Sequence, residues 1–460
     1  MPRVLTVLAV LIPVFSVLWV CRSFIPVFDL VASLPLSWPL AVHPDNENSQ
    51  QAYDYGHSDD SGQKPLQASD FVDHHRPKHH EHVPVAAHTD STKGQFTRKI
   101  VAVGDLHGDM PNALEVLQMA GVVDENGDWS GEVDFFVQTG DIIDRGDDTI
   151  KLYDWMDKLR DQASAVGGTV LSHLGNHEWM NVIGDWRGML VLRSRLCSFL
   201  AWARRYQELQ YVHASEIKTF GSVPARQEML STGRIGRSWA TNYTTTSRLP
   251  LHPALGPPNT DYDPASPSLS DFPLSHAAIS FVHGGLAPSY PDLTPFPSRI
   301  NEISASLLHK LQHRTQPPPH PPYPYPGLPH DTTLAEQRLY GGDGPLWYRG
   351  WALDPEEKVC KEVDDVLKKT GTRRMVMGHT PDFQKIVSRC DGKIIIIDTG
   401  ISHAYGGALS ALSVTYTLTP NALNTLGEKI WTETEVVKAL YLDREVVLAQ
   451  DEREVVGDFD

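Results

Sequence analysis

Short apolar runs alternate with amphipathic segments along the chain from about residue 98 onward. The apolar runs predict β-strands at Lys99–Val103, Val133–Val137 and Thr169–Leu174. Between them, apolar residues recur at helical spacing and predict helices at Pro111–Ala120 and Asp147–Ala165. Strands and helices that alternate in this way are typical of βαβ units, so we expect an α/β fold.

A later group of apolar runs predicts a second sheet packed on the first. These strands are expected at Ile279–Val282, Arg373–Met377, Lys393–Ile397 and Leu409–Thr417. From Trp431 onward, alternating apolar residues indicate an edge strand or a short hairpin, followed by a frayed acidic tail. The folded domain is therefore expected to span residues 98–460.

Two polar segments interrupt this pattern and are predicted to be surface insertions. The first, at about 241–275, is dense in Pro, Ser and Thr, and the second, at about 315–332, contains QPPPHPPYPYPGLP. Prolines at this density favour an extended, solvated backbone, because they fix φ and remove hydrogen-bond donors.

The first 97 residues differ in composition from the rest. The apolar run Val4–Val20, ended by Cys21 and Arg22, fits either a signal peptide or a membrane anchor within residues 1–42. Both alternatives predict entry into the secretory pathway, as a membrane-anchored, luminal or secreted protein. Residues 43–97 are polar and poor in large aliphatic side chains, so we expect them to form a disordered stem.

Charge and cysteine content exclude some classes of function. The net charge of -17 over 460 residues argues against a general nucleic-acid surface, because phosphate backbones are bound by clustered Lys and Arg. The 4 cysteines are too few and too scattered to predict a disulfide framework or a cysteine zinc site. Cleavage before His43 would leave an odd number, so at least one thiol is expected to be unpaired.

Glycine and metal-ligating residue types directly follow five of the predicted strands. The motifs are GDLHGD (104–109), GDIIDRG (140–146), GNHE (175–178), HGGL (283–286) and GHT (378–380). In open α/β sheets, ligands bind outside the carboxyl ends of the strands, so motifs far apart in sequence can converge there. The glycines allow sharp turns and a close approach of the backbone to a ligand.

The polar side chains of these motifs form one donor set without thiolates. Its members are Asp105, His107, Asp141, Asn176, His283 and His379. Carboxylate, amide oxygen and imidazole together fit divalent metals such as Mn, Fe or Zn. Six such side chains with one shared carboxylate match two metals about 3.5–4 Å apart, which can activate a water and stabilise an in-line displacement. One such motif is as often a strand cap as a ligand, but five in order favour a metal centre.

The motifs resemble the signature blocks of the phosphoprotein phosphatase family of calcineurin-like metallophosphoesterases. Three later blocks are more similar to its bacterial-like branch, the Shewanella-like phosphatases: GPLWYRG (344–350), MVMGHTP (375–381) and DGKIIIIDTGISHAYGG (391–407). The resemblance implies the metallophosphoesterase fold, an α/β fold of two packed mixed β-sheets flanked by helices. It also implies two divalent metal ions, with manganese expected. The ligands implied are Asp105 and His107 for the first metal and Asn176, His283 and His379 for the second, with Asp141 bridging.

The resemblance further implies which side chains act on a phosphorylated substrate such as a phosphoprotein. His177, oriented by Asp144, would be the general acid that protonates the leaving oxygen, because imidazole titrates near neutral pH. Arg145 and Arg349 would bind the phosphoryl oxygens through bidentate hydrogen bonds. For Arg349, a surface salt bridge is the alternative, because the WYRG motif is short.

Two departures from the eukaryotic Ser/Thr phosphatases concern inhibitors and specificity. Leu174 precedes GNHE where those enzymes usually have Arg, and DTGISHAYGG stands in place of their toxin-binding SAPNYC loop. We therefore expect an inhibition assay to show insensitivity to those natural toxins, and nanomolar-range inhibition would contradict this assignment. In the replaced segment, Asp398, His403 and Tyr405 either line the site or, for Asp398, cap a strand.

Other functions stay open at this stage. The Shewanella-like branch includes enzymes that favour phosphotyrosine, so phosphotyrosine and phosphoserine or phosphothreonine are all candidate substrates. Related metallophosphatases hydrolyse dinucleotide polyphosphates or inorganic polyphosphate, with the same metals. An inactive scaffold that uses the Pro-rich segment Pro317–Pro326 to bind an aromatic-lined module is an alternative of another class. The scaffold predicts missing ligands, whereas every expected position is filled.

Overall fold

A computed structural model describes residues 94–187, 212–266, 272–423 and 426–459. The predicted signal peptide or anchor at residues 1–42 lies outside these ranges, as does nearly all of the predicted stem. The first strand begins at Phe96, so residues 96 and 97 belong to the folded domain and not to the stem. Within the described ranges, no helix combines the length and the apolar character needed to span a bilayer.

The described residues form helices and strands that alternate over most of the chain. The helices are α1 (Met110–Met119), α2 (Thr149–Ala165), α3 (Asn176–Ile183), α4 (Ala214–Thr219), α5 (Val223–Leu230), α6 (Arg234–Asn242), α7 (Ser298–His313), α8 (Leu334–Tyr340), α9 (Gly350–Leu353) and α10 (Glu356–Thr370). The strands are β1 (Phe96–Val103), β2 (Phe135–Gln138), β3 (Thr169–His173), β4 (Tyr243–Thr244), β5 (Thr246–Pro250), β6 (Ala278–Val282), β7 (Arg374–Met377), β8 (Val387–Arg389), β9 (Ile394–Ile396), β10 (Ser410–Leu423), β11 (Lys429–Tyr441) and β12 (Glu445–Val456).

The strands form two mixed sheets. The first has seven strands in the order β12-β11-β10-β1-β2-β3-β4, with β1 to β4 parallel and β10 to β12 antiparallel. The second has five strands in the order β5-β6-β7-β9-β8, with β6, β7 and β9 parallel. Helices α1 and α2 connect the parallel strands β1, β2 and β3, as the sequence pattern predicts.

Alternate residues of the central strands pack on opposite faces of the first sheet. Ile100 and Ala102 belong to the same buried cluster as Phe281 of the second sheet. Val101 lies in the other cluster, together with Leu152 of helix α2. The first sheet therefore packs on the second sheet with one face and on helices with the other, which confirms the predicted α/β architecture.

The structure corrects the prediction of a surface insertion at residues 241–275. Strand β4 pairs with β3 in the first sheet, and β5 pairs with β6 in the second. All five residues of β5 are buried. The Thr- and Ser-rich composition is misleading, because the side chains find partners inside the protein: Thr246 donates to the carbonyl of Phe281, and Ser247 hydrogen-bonds to His173.

The Pro-rich segment is attached to the end of helix α3 rather than fully solvated. The backbone N–H of Trp186 donates to the carbonyl of His320, and the N–H of His320 donates to the carbonyl of Gly184. Tyr323 and Tyr325 are 53% and 47% exposed, so the middle of the segment faces solvent. The segment is therefore exposed in its middle and anchored to α3 through backbone hydrogen bonds that prolines alone do not indicate.

The cysteines form a disulfide that the sequence pattern does not indicate. Cys360 of helix α10 is bonded to Cys390, which lies between β8 and β9. The two residues are 30 positions apart, and the packing of α10 beside this turn brings them together. Cys21 and Cys197 lie outside the described residues.

The C-terminal region differs from the predicted short hairpin and frayed tail. Strands β11 and β12 form a long antiparallel pair that extends the first sheet. Beyond β12, Phe459 is only 8% exposed, and its ring lies 5.8 Å from those of Trp431 and Phe272. The tail packs on the domain because this aromatic side chain joins the core between the sheets.

We expect Phe459→Ala to lower the free energy of unfolding by about 2–4 kcal/mol, because it removes a buried aromatic ring from a packed cluster. Urea unfolding followed by circular dichroism measures the change. Asp458→Ala is the matched control, because its side chain is 77% exposed and it should change the stability by less than about 0.5 kcal/mol. Equal midpoints for Phe459→Ala and the wild type would show that the tail contributes nothing to the fold.

Candidate active site

The first two motifs form one cross-linked pair of loops at the carboxyl ends of β1 and β2. The N–H groups of Leu106 and His107 both donate to the carbonyl of Asp141, at 3.0 and 2.9 Å. Gly108 N donates to the carbonyl of Ile142 at 2.7 Å. These bonds fix the two loops relative to each other, so they also fix the distances between the side chains that the loops carry.

Backbone strain is concentrated in the predicted site. Among the described residues, 8 non-glycine residues have positive φ. Five of these are predicted site residues: His107, Asp141, Asp144, Arg145 and His379. A non-glycine residue in this region costs about 1–3 kcal/mol and persists only where the surrounding structure enforces it. This concentration of strain indicates that the loops are built to present these side chains.

Two glycines make room for the carboxylates. A Cβ on Gly175 would lie 2.2 Å from Asp141 Oδ1, and a Cβ on Gly378 would lie 2.5 Å from Asp105 Oδ1. No other residue type fits so close to a carboxylate oxygen, so the glycines of GNHE and GHT are required by contact with the partner loops.

Asp141 lies at the centre of the cluster. Its Oδ2 is 3.3 Å from His283 Nε2, 3.8 Å from His107 Nε2 and 3.9 Å from His177 Nε2. Its Oδ1 accepts a hydrogen bond from the backbone N–H of His177 at 2.9 Å. One carboxylate oxygen therefore faces three imidazoles, while the other is held by the backbone.

Backbone carbonyls orient two of these imidazoles. His107 Nδ1–H donates to the carbonyl of Ile143 at 3.0 Å, and His283 Nδ1–H donates to the carbonyl of Thr139 at 3.0 Å. Because a carbonyl can only accept, the carbonyl fixes the Nδ1 proton of each ring, and Nε2 faces the cluster. This is the orientation typical of metal-ligating histidines.

The remaining predicted ligands adjoin the same cluster. Asp105 Oδ2 lies 3.9 Å from His107 Nε2, and Asp105 Oδ1 accepts from the backbone N–H of His379 at 3.2 Å. Asn176 Oδ1 is 2.7 Å from His283 Nε2. The structure thus brings together all six side chains that the sequence predicts as ligands.

The donor set fits divalent cations. Burial raises the pKa of Asp105 well above its usual value, and the neighbouring carboxylates of Asp398 and Asp141 raise it further. His379 Nε2 is buried and has no hydrogen-bond partner among the described residues. Two groups have ligand atoms within 4.8 Å of one another: His107, Asp141 and His177, and Asp141, His283 and His379. Buried carboxylates beside neutral imidazoles need positive charge, which bound metal ions supply.

His177 and Asp144 form a buried pair beside this cluster. His177 Nδ1–H donates to Asp144 Oδ2 at 2.7 Å, which leaves Nε2 facing Asp141. Burial lowers the pKa of His177, but the carboxylates of Asp141 and Asp144 outweigh burial, so the net effect raises its pKa. This arrangement can hold a proton on the imidazole and deliver it from Nε2 to a substrate.

The two predicted arginines lie at the cluster, and Arg349 hydrogen-bonds to this site rather than forming a surface salt bridge. The Arg145 guanidinium stacks on the ring of Tyr405 at 4.9 Å. Arg349 Nη1 donates to the carbonyl of His379 at 2.7 Å and to Thr380 Oγ1 at 3.0 Å. Burial lowers the pKa of Arg349, opposed by the nearby carboxylates, of which Asp105 has the largest effect.

The segment 398–407 closes one side of the cluster. Asp398 Oδ1 accepts from the N–H of Gly400 at 2.9 Å, so it caps the turn after β9, and its carboxyl also interacts with Asp105. The ring of Tyr405 lies 5.3 Å from that of His107. His403 has an exposed side chain that hydrogen-bonds to Asp109 at 2.5 Å. Tyr405 and Asp398 therefore line the site, and His403 lies at its rim.

Sequence reasoning missed two buried groups that support the site. Glu178 accepts hydrogen bonds from the N–H groups of Gly175 and Asp141 and from the hydroxyl of Tyr153. Arg226 of helix α5 donates to Asp144 Oδ1 at 3.0 Å. Glu178 lies inside the GNHE motif, which is a signal that could have found it. Arg226 lies outside every motif, so nothing in the local sequence indicates its position.

Comparison with known proteins identifies the family of the chain. A family model for the calcineurin-like phosphoesterases matches residues 98–383. An uncharacterized protein of Schizosaccharomyces pombe is 32% identical over 70% of this chain and 79% of its own length. Shewanella-like protein phosphatase 2 of Arabidopsis thaliana is 27% identical over 68% of this chain and 73% of its own. The solved structure of a cold-active protein-tyrosine phosphatase from a psychrophilic Shewanella aligns at 20% identity with a TM-score of 0.46, over 76% of this chain and 80% of that one.

The family model covers more than half of the chain and includes all of the predicted site residues, from Asp105 to His379. The relatives named as Shewanella-like phosphatases confirm the resemblance of the sequence motifs. The chain therefore belongs to the calcineurin-like phosphoesterases, a family of dinuclear-metal enzymes, and is a hydrolase of phosphoesters.

Proposed function

We propose that the protein is a phosphoprotein phosphatase that hydrolyses the phosphomonoesters of phosphotyrosine, phosphoserine or phosphothreonine. The observation that carries this proposal is the position of Asp141 Oδ2, which lies between 3.3 and 3.9 Å from the Nε2 atoms of three imidazoles. One of these imidazoles, His177, is also hydrogen-bonded to a second buried carboxylate. These distances support a metal site and a proton donor that adjoin the same oxygen.

The proposed ligands divide between two divalent ions. Asp105 and His107 would hold the first, Asn176, His283 and His379 the second, and Asp141 both. Manganese is the proposed metal, and Fe or Zn have the same ligand preferences. When bound, such a pair supplies a hydroxide nucleophile near neutral pH and stabilises the oxygens of the in-line displacement.

The protein's own groups bind the phosphoryl group and move the proton. Arg145 and Arg349 would donate to the phosphoryl oxygens, and both adjoin the cluster. His177 would protonate the leaving oxygen of the Ser, Thr or Tyr side chain from Nε2, while Asp144 holds its Nδ1. This assignment explains how an acidic protein binds a phosphate ester, since the arginines and the metal ions supply local positive charge.

A substrate comparison tests the proposal. The purified full chain, supplied with manganese, is assayed for phosphate release from matched phosphotyrosine, phosphoserine and phosphothreonine peptides and for hydrolysis of inorganic polyphosphate and of a dinucleotide polyphosphate. We expect release from at least one peptide and loss of this activity in His177→Ala. The control Asp134→Asn, whose carboxylate accepts the N–H of Lys99 at the end of β2 opposite to the cluster, should keep the activity.

The outcomes separate the candidate functions. Turnover of a peptide that depends on His177 supports a protein phosphatase and shows which hydroxyl class is preferred. Turnover of polyphosphate or of a dinucleotide polyphosphate, with no peptide turnover, would replace the proposed substrate class. No turnover of any phosphate ester by a protein that binds metal would contradict the enzymatic proposal and favour the scaffold.

A further inference from the structure

Arg226 lies fully buried beside the Asp144–His177 pair. Its exposed fraction is 0%, and its guanidinium packs against the ring of Trp186 at 4.6 Å and that of Phe220 at 5.4 Å. A buried guanidinium is costly unless its charge and its N–H groups find partners. The hydrogen-bond partners of Arg226 therefore indicate its role.

Arg226 holds Asp144 by two routes. Its Nη2 donates directly to Asp144 Oδ1 at 3.0 Å. Its Nη1 donates to Asn181 Oδ1 at 2.5 Å, while Asn181 Nδ2 donates to both oxygens of Asp144 at 2.9 Å. Because a guanidinium can only donate and a carboxylate accepts, Arg226 fixes the amide of Asn181 in the orientation that binds Asp144. Loss of Arg226 thus removes its own hydrogen bond to Asp144. It also frees the amide of Asn181, which makes two further hydrogen bonds to Asp144.

A second carboxylate fixes Arg226 in turn. Glu216 Oε1 accepts from Arg226 Nη2 at 3.0 Å and from Thr149 Oγ1 at 2.7 Å. Burial raises the pKa of Glu216 to about 7, although Arg226 lowers it. Arg226 Nη2 thus lies between two carboxylates and donates to both Glu216 and Asp144. The contacts therefore connect Thr149 of α2, Glu216 of α4 and Arg226 of α5 to Asp144 in the loop that follows β2.

We propose that Arg226 is a positioning residue for the general acid: it fixes the Asp144 carboxylate, and through it the ring of His177, with Nε2 facing the metal-ligand cluster. The inference rests on the proposed function, because it assigns a purpose to the Asp144–His177 pair of that site. Arg226 reaches His177 through two intermediaries: the Asp144 carboxylate, which accepts His177 Nδ1–H, and the Asn181 amide, which also donates to the carbonyl of His177 at 2.9 Å.

The inference predicts a specific kinetic signature. A general acid matters most when the leaving oxygen is a poor leaving group, because a good leaving group departs without a proton. We therefore expect Arg226→Met to lower kcat for phenyl phosphate about 10- to 100-fold more than for 2,4-dinitrophenyl phosphate, with little change in KM. His177→Asn should show the same dependence on the leaving group to a larger extent.

The matched control is Arg248→Met. Arg248 is also a buried arginine, stacked on Tyr262 and bonded to the carbonyls of Gly371 and Ser275, but it lies in β5, away from the cluster. Arg248→Met should lower the free energy of unfolding, and any loss of kcat should be the same for both esters. If Arg226→Met fails to fold, Arg226→Lys carries the test, because it keeps the charge but cannot reproduce the two-pronged contact with Asn181 and Asp144.

A second measurement does not depend on turnover. In histidine-labelled protein, the Nδ1 proton of His177, bonded to a buried carboxylate, should give a protected, downfield NMR resonance. We expect this resonance to be lost by exchange with solvent in Arg226→Met or Arg226→Lys and to persist in Arg248→Met.

The outcomes keep the inference and the proposed function apart. Equal losses of kcat on both esters, with an unchanged His177 resonance, would show that Arg226 is structural only and would overturn the inference. Absence of turnover by the wild type on both esters would contradict the proposed function. In that case the NMR resonance would still decide whether Arg226 fixes the Asp144–His177 pair.

Discussion

Asp141→Asn is expected to abolish turnover, with a loss of at least about 1,000-fold, and to weaken metal binding. Asp141 Oδ2 faces His283, His107 and His177 at 3.3 to 3.9 Å, so this carboxylate belongs to both groups of candidate metal ligands. The amide removes the negative charge of Asp141 and can turn an N–H₂ group toward the imidazole nitrogens of the proposed metal ligands His283 and His107. Phosphate release and metal content per chain, determined on the same preparation, measure the effect.

The matched control for this substitution is Asp134→Asn, because Asp134 is also buried and directly precedes the same strand, β2. Its carboxylate accepts the N–H of Lys99 at 2.7 Å, at the end of the strand opposite to the cluster. We expect Asp134→Asn to reduce stability and to keep the activity per folded molecule. If Asp141→Asn retained both metal and turnover, Asp141 could not be the bridging ligand.

The strands and the site ligands could be predicted from the sequence because both are encoded locally. A run such as Ile100–Val103 is apolar on both faces because both faces of the strand are buried, and this produces an unmistakable pattern. The ligands follow such runs directly, beside glycines that the contact with Asp141 or Asp105 requires. Convergence then follows from the rule that parallel strands present their carboxyl ends at one edge.

The elements that were missed depend on contacts made far away in the sequence. Strand β5 has a Thr- and Ser-rich composition that is typical of loops, and only its pairing with β6 and the hydrogen bond from Thr246 to Phe281 make it a strand. The C-terminal tail packs on the domain because the ring of Phe459 contacts that of Trp431. Arg226 reaches Asp144 across 82 positions. A single sequence carries no signal for such pairs, since the partners are ordinary residues until the fold brings them together.

Glu178 lies between these two cases. It belongs to a recognisable sequence motif, but only the structure shows which groups it binds. Its Oε2 accepts from the N–H groups of Gly175 and Asp141, and its Oε1 accepts from Ile142 N–H and the Tyr153 hydroxyl. One buried carboxylate thus ties the loop that carries Asp141 to the start of helix α3. It supports the metal ligands without facing them.

We therefore expect Glu178→Ala to lower the free energy of unfolding by about 3–5 kcal/mol, because it leaves several buried donors without an acceptor. Since a domain is stable by only about 5–15 kcal/mol, much of the protein should be recovered unfolded. Glu178→Gln keeps one acceptor oxygen and should lose less. Urea unfolding of both variants, beside the exposed control Glu125→Ala, measures the difference. A Glu178→Ala protein with the wild-type midpoint would mean that water replaces the carboxylate and that the loops do not depend on it.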